Sequence, residues 1–396
     1  MRNRKIRILH TIRQGDFGGG ETYLYNLVSR LEKEIFEPVV LSFTEGAMVE
    51  KLKQAGIKTY VIPTLRPFDI FKYRKVNRIL KQEQIDILHI HGTRSGTNTL
   101  IPALLSKVKV IYTVHGWSFH TGNSNLEIQL RILSEQFLTR FANLTICGSE
   151  ADILQGTNHC PEGRYKLIRN SIDTCHFNPQ IPGKNLRHEL GFESTDLVIS
   201  LIARLTYQKD PLSFIKSIPA VCKEVPSAKF LMVGEGELKG ACIHLASQLN
   251  ITDKITFLPF RKDIKDLLQL SDIFVLPSLW EVIPLGLLEA MAMEKTCIAT
   301  NIPGTNEALL NYHNGILVDV QRPDQIARKV VMLAYNPILR RKLGINARHT
   351  IGTHFDIKNL VKENEGAYLS LINHMPAPQL LTPDLAAPFN NPLVAG

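Results

Sequence analysis

No apolar run in this 396-residue chain approaches the ~18 residues that a membrane-crossing helix requires. The basic start, MRNRKIRILHTIRQG, has an apolar stretch too short for a secretory leader, and Arg13 interrupts it. Both absences point to a cytosolic protein that does not span the bilayer. Cysteine is sparse, at positions 147, 160, 175, 222, 242 and 297. The six form no C-x-x-C pair and no Cys/His spacing that suits zinc. They read as reduced thiols, mostly small core residues. None of the fifteen aspartates has another two places on, so nothing supports a divalent metal gripping a diphosphate through D-x-D. Neither glycine-rich loop has the G-x-G-x-x-G or Walker spacing, which argues against a dehydrogenase or a P-loop enzyme. Hydrophobic residues at 44% and charged residues at 21% describe a globular chain, not a collagenous, coiled-coil or disordered one. Its length suits two or three domains.

What is present begins with charge. Of the net +9, residues 1–180 hold +8. Arg66, Lys72, Arg74, Lys75, Arg78 and Lys81 cluster within 66–81, with Phe68, Ile70, Phe71 and Tyr73 among them. Such a stretch is either a contact for an anionic membrane surface or a solvated helix face. No nucleic-acid motif accompanies it.

The chain then reads as alternating strands and helices. Ile6–His10 is a strand, followed by a loop with Gly15, Gly18, Gly19 and Gly20, and a helical pattern opened by Glu21. Further strands are expected at 38–43, 60–62, 85–90, 108–114 and 144–147. The pattern restarts with strands at 196–202, 229–233, 255–258, 273–276, 297–300 and 315–318. Strands alternating with helices predict mostly parallel sheets. The chain is therefore α/β, with two doubly wound domains joined near 170–185, where Pro179 and Pro182 stand. An amphipathic helix is expected from 356 to 374. The segment 376–396 holds five prolines and no Lys or Arg, and its composition predicts disorder. In open α/β sheets ligands bind beyond the carboxyl ends of the strands. With two such domains, the natural site is the cleft between them.

Four motifs fall at those ends. Gly18-Gly19-Gly20-Glu21 can bring backbone N–H groups close to an anion, or can simply be a tight turn. Thr113-Val114-His115-Gly116 places His115 at a strand end, suited to a sugar contact or proton transfer; His89, His91 and His120 have weaker claims. Arg204 and Lys209 lie on the loop after a strand, where two cations can neutralise a diphosphate without a metal; a solvated pair is the plainer reading. Glu281 and Glu289 stand eight positions apart in Trp280–Ala292. Glu281 falls on a loop. Glu289 falls in a helix otherwise built of Leu287, Leu288 and Met291. A carboxylate there needs hydroxyl or cationic partners, either a ribose or a neighbouring Lys or Arg.

Taken in order, these pieces resemble the retaining glycosyltransferases of family 4, also called group 1, which have the GT-B fold of two Rossmann-like domains facing across a cleft. The match extends through Leu231–Gly236, Phe257–Phe260 and Ala290-Met291-Ala292. The resemblance implies an N-terminal acceptor-side domain over 1–178 and a nucleotide-sugar donor domain over 179–355. The 356–374 helix would cross back onto the first. It implies that Arg204 and Lys209 bind the donor diphosphate, that Glu289 holds the ribose, and that Glu281 and His115 contact the transferred sugar as catalytic residues. Gly19 and Gly20 would lie against the phosphate or acceptor, and Phe260 would face the nucleobase. Val282 stands where many relatives have glycine. Pro284 has no N–H, so backbone contacts to phosphate would come from Ile283 or Leu285. Pro259 and Ser171 also depart from the pattern. The implied activity is metal-independent and needs no cofactor. It transfers a sugar from a nucleotide-diphosphate sugar to an acceptor hydroxyl, with configuration retained. The expected acceptor is lipid-linked, or belongs to surface polysaccharide or lipopolysaccharide. The expected location is the cytoplasm, at the inner face of the membrane. A GT-B sugar-nucleotide epimerase and a non-catalytic scaffold are the competing readings.

Overall fold

The computed structural model describes residues 4–64, 66–119 and 125–373. His120 and the tail expected to be disordered lie outside the described residues. The first half forms seven strands: β1 (Ile6–Ile12), β2 (Phe36–Ser42), β3 (Lys58–Val61), β4 (Ile87–His91), β5 (Lys109–Val114), β6 (Leu144–Cys147) and β7 (Tyr165–Leu167). Between them run α1 (Gly19–Val28), α2 (Ala47–Gln54), α3 (Ile70–Gln82), α4 (Thr93–Leu105), α5 (Asn125–Phe141) and α6 (Glu150–His159). The second half forms β8 (Leu197–Ile202), β9 (Ala228–Val233), β10 (Ile255–Leu258), β11 (Ile273–Leu276), β12 (Thr296–Thr300) and β13 (Ile316–Val318). Its helices are α7 (Leu186–Glu189), α8 (Pro211–Glu224), α9 (Lys239–Gln248), α10 (Ile264–Leu270), α11 (Leu285–Ala292), α12 (Thr305–Ala308), α13 (Pro323–Ala334) and α14 (Pro337–His354); α15 (Ile357–Ile372) follows.

Both sheets are parallel, in the orders β3-β2-β1-β4-β5-β6-β7 and β10-β9-β8-β11-β12-β13. Helices cover both faces, so the inner strands carry near-continuous apolar runs such as Leu197–Ile202. The period-two alternation divides them between two cores. Leu9 and Leu88 face the core that holds Val76, Ile79 and Leu100. Ile8 and Ile87 face the opposite core, with Tyr23 and Leu27. In each sheet the chain order reverses beside the first strand, at β1/β4 and at β8/β11. These switch points open a crevice at the strands' carboxyl ends.

The last helix belongs physically to the first sheet. Ile357, Leu360, Ala367 and Tyr368 of α15 are buried with Ile6, Ile8 and Tyr23. Asn364 donates from Nδ2 to Tyr23 Oη at 3.0 Å. The crossing is pinned where Ile172 and Phe355–Ile357 exchange backbone hydrogen bonds and where Arg30 pairs with Asp173.

Candidate active site

The site is assembled from loops that leave the two switch points. On the N-terminal side, β1 and β4 run in register with His10 beside His89. Alternation along Ile87-Leu88-His89-Ile90-His91 puts His89 and His91 on one face. The result is a buried stack of imidazoles. Rings of His89 and His91 lie 4.2 Å apart, and those of His91 and His115 lie 5.3 Å apart at 12°. His10 Nδ1 meets His91 Nε2 at 3.2 Å, and His91 Nδ1 meets His115 Nε2 at 3.1 Å. His89 is held by Tyr368 Oη and Thr113 Oγ1, each at 2.7 Å. Burial depresses all four pKa values, to about 3 for His10 and about 4 for His115. Neutral imidazoles therefore persist at physiological pH.

The chain of bonds fixes tautomers. His10 Nε2 is buried without a hydrogen-bond partner. An orphaned N–H there is worse than an orphaned lone pair. The proton of His10 thus belongs on Nδ1 and is donated to His91. His91 donates from Nδ1 to His115 Nε2, which leaves the proton of His115 on Nδ1. His10, His89 and His91 also bring nitrogens within 4.8 Å of one another. Five of their six nitrogens already engage neighbours, and stacked rings cannot aim in-plane lone pairs at one ion. The group is a hydrogen-bonded stack rather than a ligand set.

Gly20 sits beside this stack. A Cβ there would come 3.1 Å from His115 Cδ2, whereas one at Gly19 would meet nothing within 4 Å. Glu21 follows, buried, and burial raises its carboxyl pKa while Gln14, Arg13 and Arg204 oppose the shift. Arg204 belongs to the other half of the chain, so Glu21 faces the interdomain cleft. Sequence reasoning placed Glu21 at the end of the glycine motif with no role of its own, gave His91 only a weak claim and read His10 as a strand residue. H-x-H was a visible hint, but the register that joins it to His10 and His115 was not.

On the C-terminal side, Arg204 is exposed on the loop after β8. That loop is packed tightly by glycine. A Cβ on Gly234 would lie 1.9 Å from Ala203 O, and one on Gly236 would lie 2.3 Å from Leu205 O; both have positive φ. Lys209 follows on a single 3-10 turn, Tyr207–Lys209. Its Nζ binds Glu281 Oε1, which also accepts from Ser278 Oγ at 2.7 Å. Lys209 and Glu281 thus meet directly. Glu289 lies in α11, half-buried, and among the described residues no side chain pairs with it; burial lifts its pKa to about 8. The neighbouring Lys or Arg that the sequence left open is absent there. Ile283 is buried and its carbonyl accepts from Asn170 Nδ2 at 3.0 Å. Leu285 begins α11, where first-turn N–H groups point out of the helix. Phe260 is exposed beyond β10.

The halves touch through Val282, the position of the expected glycine. Its methyls would lie 3.4 Å from a Cβ on Gly116 and 3.0 Å from one on Gly148. Glu307 accepts from the backbone N–H groups of Glu150 and Ala151 at 2.9 and 3.1 Å, at the start of α6.

Two parallel doubly wound sheets with facing switch points, cations and carboxylates on one side and a histidine on the other, define a GT-B glycosyltransferase. Residues 17–175 match the family described as Glycosyltransferase Family 4, and 183–350 match Glycosyl transferases group 1. The chain belongs to this family. It is 28% identical over 381 residues to the Escherichia coli UDP-Gal:alpha-D-GlcNAc-diphosphoundecaprenol alpha-1,3-galactosyltransferase, covering 93% of this chain and 98% of that one. It is 29% identical to the putative glycosyltransferase EpsD of Bacillus subtilis, over 74% of this chain and 79% of that one. Anabaena Alr3699/HepE, solved with UDP-glucose, shares the fold with a TM-score of 0.82 at 21% identity, covering 92% and 100% of the two chains.

Proposed function

We propose that the protein transfers a sugar from a uridine diphosphate sugar to a hydroxyl of a lipid-linked diphosphate acceptor, with retained anomeric configuration and without a metal. The observation that carries this reading is Glu289. An unpaired carboxylate lifted to about 8 by burial has a strong unmet need for donors, and ribose hydroxyls satisfy it. The printed activity of the E. coli relative, with a UDP-sugar and a diphosphoundecaprenol acceptor, supports the substrate classes.

In this reading Arg204 and Lys209 take the donor diphosphate. Lys209 is held by Glu281 before donor arrives, so the phosphate and the carboxylate share one ammonium. Backbone N–H groups at Ile283 and Leu285 add to phosphate binding, and Phe260 lies against the base. Glu281 and His115 contact the transferred sugar, His115 donating from Nδ1. The bond from the anomeric carbon to the phosphate oxygen breaks as the acceptor oxygen attacks from the same face. The acceptor proton passes to the leaving phosphate, whose charge the two cations stabilise. Gly19 and Gly20 line the acceptor side. Residues 1–178 form the acceptor-side domain and 179–355 the donor-side domain, and closure between them excludes water. The basic face of α3, with Phe71 83% exposed, rests on the anionic cytoplasmic surface of the membrane.

A thermal-shift panel of UDP, GDP and ADP on wild type and Glu289→Ala tests the donor site. At 100 times its Kd a ligand adds about 2.7 kcal/mol. The expected result is a shift with UDP alone, lost in the variant. A shift with no nucleotide would overturn the reading.

A further inference from the structure

A cavity of about 460 Å3 opens beside His115 on the N-terminal domain. Arg13, Arg94 and Arg131 all line it, from the loop after β1, the start of α4 and the middle of α5. Three guanidinium groups sharing one cavity repel one another. Burial, together with the charges of Arg13 and Arg131, pulls the Arg94 pKa below its ordinary range. Among the described residues that line it, Glu21 is the one carboxylate. Arg131 is steadied by donation to Ser118 O at 3.2 Å. These arginines are separate from the donor cations Arg204 and Lys209, which belong to the other domain.

Leu130 lines the same cavity. It continues a stripe along α5, where Leu126, Leu130 and Leu133 are 70%, 56% and 60% exposed. Their spacing of four and three residues places them on one face. Leu133 then lines a second cavity of about 390 Å3, together with Phe137 and Phe141. A cationic pocket that runs into an exposed apolar stripe matches a ligand with an anionic head and a long apolar tail.

We propose that Arg13, Arg94 and Arg131 bind the diphosphate of an isoprenoid-diphosphate acceptor, whose chain leaves along Leu130, Leu126 and Leu133 of α5. This deepens the reading above by naming the residues that select the acceptor. Guanidinium forks suit a diphosphate better than point charges do, and the pocket adjoins His115, where the acceptor sugar must arrive.

The test is a titration of farnesyl diphosphate, inorganic pyrophosphate and farnesol into the full chain, with and without saturating UDP. Wild type should bind farnesyl diphosphate saturably in the presence of UDP, more tightly than pyrophosphate or farnesol. Arg94→Gln and Arg131→Gln should each weaken that binding at least tenfold. A Leu126→Ser/Leu133→Ser variant should lose the preference over pyrophosphate and keep pyrophosphate binding. Absence of saturable binding, displacement by UDP, or equal affinity in the arginine variants would overturn the proposal. Displacement would place the diphosphate on the donor cations instead. The UDP shift of each variant reports its fold, and failure of that shift in wild type would sink the donor reading while leaving this titration decisive.

Discussion

At the scale of the residue, two side chains of the proposed site, Glu289 and His115, are set by burial. Glu289 has a pKa of about 8 in the folded chain against an ordinary value of 4.5. The folded state therefore holds its proton more tightly than the unfolded state. Stability from this group is complete below about pH 4.5 and is lost as pH rises through 8. Urea denaturation at pH 5.5 and pH 8.5 should show wild type losing more stability than Glu289→Gln over that interval. Parallel losses would mean that the carboxylate is ionised throughout. His115, neutral and protonated on Nδ1, is oriented through His91. His91→Phe keeps a ring in the stack and removes both hydrogen bonds. We expect kcat to fall about tenfold with donor KM unchanged, while His115→Ala costs about 10²–10⁴. Nitrogen chemical shifts of the histidines supply the readout that a purely structural role would not move. The Nδ1–H tautomer of His115 should be present in wild type and lost or mixed in His91→Phe.

At the scale of the element, the loop from β1 into α1 shows how closely backbone and site are fitted. Gly19 and Gly20 look alike in sequence, yet only Gly20 has the His115 ring against it. Gly20→Ala should preserve the fold and reduce kcat at least tenfold by displacing the ring, whereas Gly19→Ala, whose Cβ meets no protein atom within 4 Å, should leave the ring in place and lower kcat less. Kinetics with matched melting curves check this pair, and equal effects would show that the ring contact is unimportant. The glycines of β9–α9 have another purpose. Gly234 and Gly236 let that loop pass against Ala203 and Leu205, which fixes the backbone from which Arg204 projects. In α11 the local chemistry is simpler. Apolar Leu287, Leu288 and Met291 bury the helix, and Glu289 among them is only half-buried.

At the scale of the whole molecule, loops of the two halves meet at Glu307, Asn170 and Val282. Glu307 caps the start of α6, where a carboxylate suits the N–H groups and the positive end of the helix. Asn170 binds Ile283 O, and Val282 fits between Gly116 and Gly148. Removing the Glu307 carboxylate leaves two N–H groups to water and loosens this clasp. Glu307→Ala should increase the radius of gyration in solution scattering relative to wild type, and saturating UDP should reverse part of the increase. An unchanged radius would show that the clasp does not hold the cleft.

The residue order alone determined the architecture. Twelve of the thirteen strands, the break between the halves and the order of the motifs are legible because parallel strands are buried on both faces and must be apolar throughout. β7, Tyr165–Leu167, was missed because three residues are too few to show a pattern. Arg204, Lys209, His115, Glu281 and Glu289 were visible as polar residues at strand ends and on an apolar helix. What they touch was not. His10 lies 81 positions from His91, and His89 lies 279 from Tyr368. Strand register and the return of α15 bring them together. The pairing of Lys209 with Glu281, the isolation of Glu289 and the gathering of three arginines beside His115 were likewise decided by tertiary structure. Each depends on distances between segments far apart in the chain, which local periodicity does not encode.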